Sequence, residues 1–242
     1  MSRPFSGVPA ADGACMTLTE HLDELRRRLL WSLAAATAGA IVCQIFIDDL
    51  TRVLTAPAGT LYFMKPAEAF FMHFKLLLSG GVTLASPFLF YEFWAFLMPA
   101  FSRRSGRLLA LLVVSSLLLS AAGGALAFFF VVPQGLKFFL SFGGHLGQPL
   151  ISMESYLNFV IMLVLPFGLV FNLPLALLTL AKIGLVSSEG LKRKRRFVIF
   201  ASFLASAALT ATTDIFSQCL LALPMIVLYE ASRLIIKYVL DR

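Results

Sequence analysis

Residues 196–233 read RFVIFASFLASAALTATTDIFSQCLLALPMIVLYEASR, and whether this stretch crosses a bilayer twice decides the fold. Arg196 and Arg233 bracket about 36 residues, roughly 54 Å of helix at 1.5 Å per residue. Two full crossings need about 60 Å, with nothing left for a turn. The stretch is expected as a short two-helix hairpin, 197–212 and 215–236, in a locally thinned bilayer, because a mismatch of a few ångströms costs little. A re-entrant pair is the alternative.

Four longer apolar runs lie upstream, near 29–47, 70–98, 108–132 and 156–181, each long enough to span a hydrocarbon core. The composition agrees: 59% of the 242 residues are hydrophobic and 14% charged, against about 25% charged in soluble domains. Mean hydropathy is +0.88. The fold class is an all-α integral membrane protein with six transmembrane helices, the last two short.

The net charge of +7 does not point to nucleic acid, because the cations sit in short blocks between apolar runs. Arg3 and Arg26, Arg27 and Arg28 precede the first span. Arg103, Arg104 and Arg107 follow the second, Lys182 and the run 192–196 follow the fourth, and Arg233, Lys237 and Arg242 follow the last. The other side holds only Arg52, Lys65, Lys75 and Lys137. The excess of cations on one side puts both termini in the cytoplasm. The outer loops, 48–69 and 133–155, exceed a tight turn. TAPAGTLYFMKPAEAF at 55–70 is expected to form a packed lid over the outer end.

Catalytic chemistry finds no residues to carry it. Cys15, Cys43 and Cys219 are odd in number and irregular in spacing, and no CxxC occurs. HExxH, GxSxG and the phosphate loop GxxxxGK[ST] are all missing. No enzyme, cofactor or metal is expected. Polar residues in the spans are few, so each is a candidate: Gln44, Glu92, Asn158, Asn172, Asp214, Gln218 and Glu230. Asn172 lies between Pro166 and Pro174, which favour bending. It is either the polar point on a concave wall or an interhelical hydrogen bond. Asp214 is placed as an N-cap of the last span. Glu92 and Glu230 are placed as pairing with loop arginines or snorkelling.

HLDELRRRL at 21–29 combines several signals. Leu18, Leu22, Leu25 and Leu29 form one apolar stripe, suited to a helix on the cytoplasmic membrane surface. Thr17 or Thr19 could cap it. Asp23 and Glu24 stand four residues before Arg27 and Arg28, the favourable order for helical ion pairs. Such pairs are weak when exposed, so a partner presenting a fixed guanidinium pair could compete for Glu24.

HLDELRRRL also resembles the N-terminal signature of the TatC family, the multispanning subunit of the twin-arginine protein translocase. The similarity continues through ASPFLFYEFWAFLMPAF (85–101), FFFVVPQGLKFFL (128–140), ESYLNFVIMLVLPFGLVFNLPLALLTLAKIGLVS (154–187) and LKRKRRFVIFASFLASAALTATTDIFSQCLLALPMIVLYE (191–230). The resemblance implies a concave, glove-like six-helix bundle in the bacterial inner membrane, with both termini inside. It further implies a receptor that binds twin-arginine signal peptides of folded cargo. Such a receptor organises single-span TatA-type and TatB-type partners, driven by the proton-motive force, and forms a homo-oligomer within its complex. Glu24 matches the family's signal-binding acid. Leu25 and Arg26 share its motif, and Phe96 and Pro99 match the end of span two and the following loop. Pro57 matches an outer-loop proline, and Asp214 and Gln218 match polar positions at the outer start of the last span. Two positions depart from the pattern. Ser105 stands where the family commonly has a loop acid, and Asn172 where it commonly has a glutamate. Residues 1–15 are expected to be a disordered tail or an over-extended start before Met16, leaving 16–242 as one membrane domain. No cleavable signal peptide is expected. From the residues alone, a small-solute secondary transporter is the alternative function.

Overall fold

The computed structural model describes residues 18–98, 105–143, 150–210 and 215–239. Among them are nine α-helices: α1 (Leu18–Cys43), α2 (Ile47–Thr55), α3 (Glu68–Leu97), α4 (Gly106–Leu126), α5 (Val132–Gly143), α6 (Met153–Val170), α7 (Leu173–Ile183), α8 (Ser188–Thr210) and α9 (Ile215–Val239). Among the described residues, five helical segments are long and apolar enough to cross a membrane: His21–Ala58, Glu68–Leu97, Gly106–Ser141, Met153–Ile183 and Ile215–Tyr238. The helix α8 falls short because Lys192, Arg193, Lys194, Arg195 and Arg196 occupy its early turns.

Side-chain contacts fix the helix directions. Arg28 near the start of α1 meets Glu92 near the end of α3, and Gln44, just beyond α1, lies 3.1 Å from His73 early in α3. These two helices therefore run antiparallel. Small residues let them touch: a Cβ on Gly81 would sit 2.5 Å from the Ala40 amide nitrogen, and one on Gly39 would strike the Gly81 carbonyl oxygen. Without a hydrophobic drive between helices in lipid, this close packing supplies the contact. Glycines also join α4 to α6, where a Cβ on Gly123 would lie 2.7 Å from the Phe167 carbonyl oxygen.

The C-terminal hairpin forms as an antiparallel helix pair. Gln218 Nε2 donates to the Phe203 carbonyl at 2.9 Å, Ser206 Oγ to the Gln218 carbonyl at 2.6 Å, and Tyr229 Oη to the Leu191 carbonyl at 2.8 Å. The hairpin's turn, with Asp214, lies outside the described residues. Both helices extend beyond the bracketing arginines, but α8 does so through the basic run 192–196, so the apolar length of the pair stays as short as the sequence reads.

Two expectations need correction, and spans three and four each carry a local irregularity. The stripe helix expected on the membrane surface is the first part of α1, which runs unbroken from Leu18 to Cys43. Its leucines share one unbroken helix with the span itself, so among the described residues they form no separate helix. The loops 48–69 and 133–155 are partly helical, through α2 and α5. Leu50 and Leu54, with buried Ile47, turn α2 onto the core. Span three widens into a π turn at Ala127–Val131, just before Pro133, which has no N–H to return to the Phe129 carbonyl. Span four is two helices, broken at Phe171 and Asn172. Pro174 enters the first turn of α7, where a missing N–H costs nothing.

A main core gathers Met72, Leu76, Tyr156, Leu157, Val160, Leu163, Phe167 and Leu221, and a smaller one gathers Ala181, Leu191, Tyr229 and Ile236. At the end opposite the α1 start, the expected lid takes form. Tyr62 pairs with the segment before α6 through Tyr62 N to Ile151 O and Met153 N to Tyr62 O, both 3.0 Å. Glu68, 2% exposed, ties the two connecting segments at this end together. Its carboxylate accepts from Met64 N at 2.7 Å, Lys65 N at 3.1 Å, Ser152 Oγ at 2.5 Å and Glu154 N at 2.8 Å.

Candidate functional site

The start of α1 and the end of α3 meet at one end of the bundle, and the charged residues of HLDELRRRL divide there. Glu24 and Arg28 are one turn apart and face α3. Arg28 donates to Glu24 Oε1 from Nη2 at 2.6 Å and from Nε at 3.0 Å. Its other arm, Nη1, donates to Glu92 Oε2 at 2.7 Å. These side chains are only 19%, 14% and 12% exposed for Arg28, Glu24 and Glu92. Glu24 Oε2 is buried and accepts no hydrogen bond. Beside them, His21 of α1 stacks on Phe96 of α3, with ring centroids 4.4 Å apart and planes 19° apart.

The site therefore carries two carboxylates, one guanidinium and an aromatic flank, with a net charge of −1. A buried carboxylate oxygen without a donor is costly, so this constellation suits one more cationic donor. Bidentate pairing favours guanidinium over ammonium. No group of three or more metal-ligating side chains occurs among the described residues.

The structure brings some of the sequence candidates together. Glu24 and Phe96 lie on the two facing helices, and Leu25 and Arg26 are exposed on α1 next to Glu24. Asp23 and Arg27 are exposed, and among the described residues no ion pair joins them. Ser105 is exposed and extended (φ −128°, ψ 126°) at the start of α4, where its side chain does not cap the helix. Pro99 lies outside the described residues. From the sequence, Glu92 reads as an acid near a helix end that snorkels or pairs with loop arginines, and, with Asp23, as a candidate to compensate for the acid absent at Ser105. Its partner is Arg28 of α1, not a loop arginine. His21 was missed as a site residue, since a lone histidine beside a span carries no signal of its own.

The remaining candidates lie elsewhere. Asn172 sits at the break between α6 and α7. Its Nδ2 donates to the Gly168 carbonyl one turn back at 3.0 Å, and its Oδ1 is buried and unpartnered. The interhelical alternative is thus not the bond made. Asn172 instead lines a concavity of about 910 Å³ between α3, α4, α6 and α7, whose wall is mostly apolar and includes Phe90, Phe93 and Leu169. Trp94 Nε1 donates to Ser116 Oγ at 2.7 Å in that wall. The Gln218 amide is engaged inside the α8–α9 hairpin. Pro57 lies in the short 3-10 turn Ala56–Ala58, at the opposite end of the bundle from Glu24.

The family model described as Sec-independent protein translocase protein (TatC) matches residues 20–224. The Sec-independent protein translocase protein TatC of Synechocystis sp. is 39% identical over 220 residues, covering 90% of this chain and 87% of that one. That of Desulforapulum autotrophicum is 40% identical over 221 residues, covering 88% and 82%. A crystal structure of a twin arginine translocase receptor TatC superposes with a TM-score of 0.84 at 34% identity, over 92% of this chain and 100% of that one. These matches remove the solute-transporter alternative. The chain belongs to the TatC family of Sec-independent protein translocase proteins, and is a multi-pass, non-enzymatic translocase subunit of the Tat system.

Proposed function

We propose that this chain binds the twin-arginine signal peptides of folded proteins at its cytoplasmic face, with Glu24 as the carboxylate that meets the arginines. The observation that carries this is the Glu24 side chain itself: 14% exposed, held against a neighbouring helix, with one oxygen lacking a donor. Leu25, Arg26, Phe96, Pro99 and Ser105 frame the peptide around it. Ser105 can hydrogen-bond but brings no charge, so more of the recognition falls on Glu24.

The orientation has six crossings with both termini cytoplasmic, in a bacterial inner membrane, as the distribution of Lys and Arg supports. The chain, residues 16–242 acting as one unit, organises TatA-type and TatB-type single-span partners and further copies of itself, using the proton-motive force. Asn172 and Asp214 are the polar points offered to partner helices, while Gln218, whose Nε2 donates to the Phe203 carbonyl, braces the hairpin. Asn172 cannot ionise, so it acts there as a hydrogen-bonding group only.

The test is export of a twin-arginine reporter in cells whose only copy of this subunit is Glu24→Lys or Glu24→Ala. Both are expected to abolish export while membrane levels of the protein stay normal. Normal export by Glu24→Lys would sink Glu24 as the binding residue.

A further inference from the structure

Arg28 occupies the place where an incoming guanidinium would be received. It is gripped by two carboxylates from two helices, one on each arm of its fork. Glu24 still has an unpartnered, buried oxygen. Two consecutive arginines in an extended peptide point to opposite sides of the backbone. One carboxylate therefore cannot meet both, and a matched receptor needs a second, offset acid. The loop position at Ser105 carries no acid. Glu92, one Arg28 fork away from Glu24 and only 12% exposed, is positioned for it.

Charge decides what becomes of Arg28. With Arg28 in place, the site's −1 plus two arginines gives +1 in a half-buried setting. With Arg28 swung out, two carboxylates and two guanidiniums neutralise each other. A long arginine at a membrane boundary can turn its head to the lipid phosphates at little cost. The His21–Phe96 stack gives an incoming guanidinium plane a flat neighbour.

We propose that Glu92 is the second carboxylate for the arginine pair, and that Arg28 is a resident cation which the pair displaces. This rests on the reading of Glu24 as the first carboxylate.

The full chain in lipid nanodiscs is titrated with a fluorescent peptide carrying Arg-Arg, and with its Lys-Lys counterpart. The parent, Glu24→Gln, Glu92→Gln and Arg28→Gln are compared, each checked for monodispersity and thermal midpoint. Glu92→Gln is expected to weaken Arg-Arg binding at least about tenfold and to narrow the preference over Lys-Lys. Arg28→Gln is expected to bind Arg-Arg at least as tightly as the parent, because the competitor is gone. Arg-Arg binding by Glu92→Gln within about twofold of the parent, with its preference intact, would overturn the proposal. So would a loss of about tenfold or more in Arg28→Gln, which tests the exchange even if Glu92→Gln does not fold. In either case a loss in Glu24→Gln leaves the Glu24 reading standing. Parent-like binding by Glu24→Gln brings that reading down as well.

Discussion

At the scale of single residues, position in the fold changes what a familiar spacing means. Glu24 and Arg28, four apart on a helix, would form a weak pair in water. Glu92 turns that pair into a tertiary contact, because its helix end lies against theirs. The pairing of Glu24 with Arg28 was legible in the sequence, since the spacing alone brings them together. The Glu92 contact was not, because it spans 64 residues and depends on the α1–α3 seam. Glu68 was missed for the same reason. Two of its four donors lie just before it in the chain, but the other two come from Ser152 and Glu154. Glu68→Gln keeps the shape and trades one acceptor oxygen for a donor, leaving amides unpaired at the lid. It is expected to lower the thermal midpoint and to speed protease cleavage around residues 59–67 and 150–152. Arg-Arg peptide binding at the other end should stay within about twofold of the parent. An unchanged midpoint and cleavage pattern would count against the clasp.

At the scale of elements, the contacts are set by small residues and by prolines. The Gly39–Gly81 approach leaves no room for a side chain. Gly81→Val is therefore expected to push α1 away from α3, cost about 2 kcal/mol or more of stability, and separate Glu24 from Glu92. A peptide-binding loss should accompany the fall in thermal midpoint. Gly124→Ala is the control: its added Cβ would meet only Val164 Cγ1, at 3.7 Å. It is expected to stay within about 0.5 kcal/mol. If Gly81→Val matches this control in both measurements, the seam does not position the site. The break in span four was readable, because Pro166 and Pro174 flank Asn172. The helices α2 and α5 were not read, because prolines and charges around them suggested loops. Yet Ile47, Leu50 and Leu54 already carried the 3, 4 spacing of a helix face packed on the core.

At the scale of the whole molecule, the lengths of the apolar runs supplied most of the helical architecture. They could not supply the close approach of the two helix ends that forms the Glu24 site, because that is a matter of packing across the bundle. The topology makes its own prediction. With Cys15, Cys43 and Cys219 replaced, Thr212→Cys should react with an impermeant thiol reagent added from outside the cell. Labelling only from the cytoplasm would favour a re-entrant pair over a crossing hairpin. Whether Glu24 and its neighbours on α3 receive the arginine pair can be read from the peptide's side. A twin-arginine signal peptide with a photoreactive residue next to the arginines is bound to the membrane-embedded protein, irradiated, and its attachment sites mapped by mass spectrometry. Adducts are expected within residues 21–28 and 89–98 and should vanish when the arginines become lysines. Adducts confined to the concavity around Asn172 or to the α8–α9 hairpin, or adducts indifferent to the lysine exchange, would contradict it.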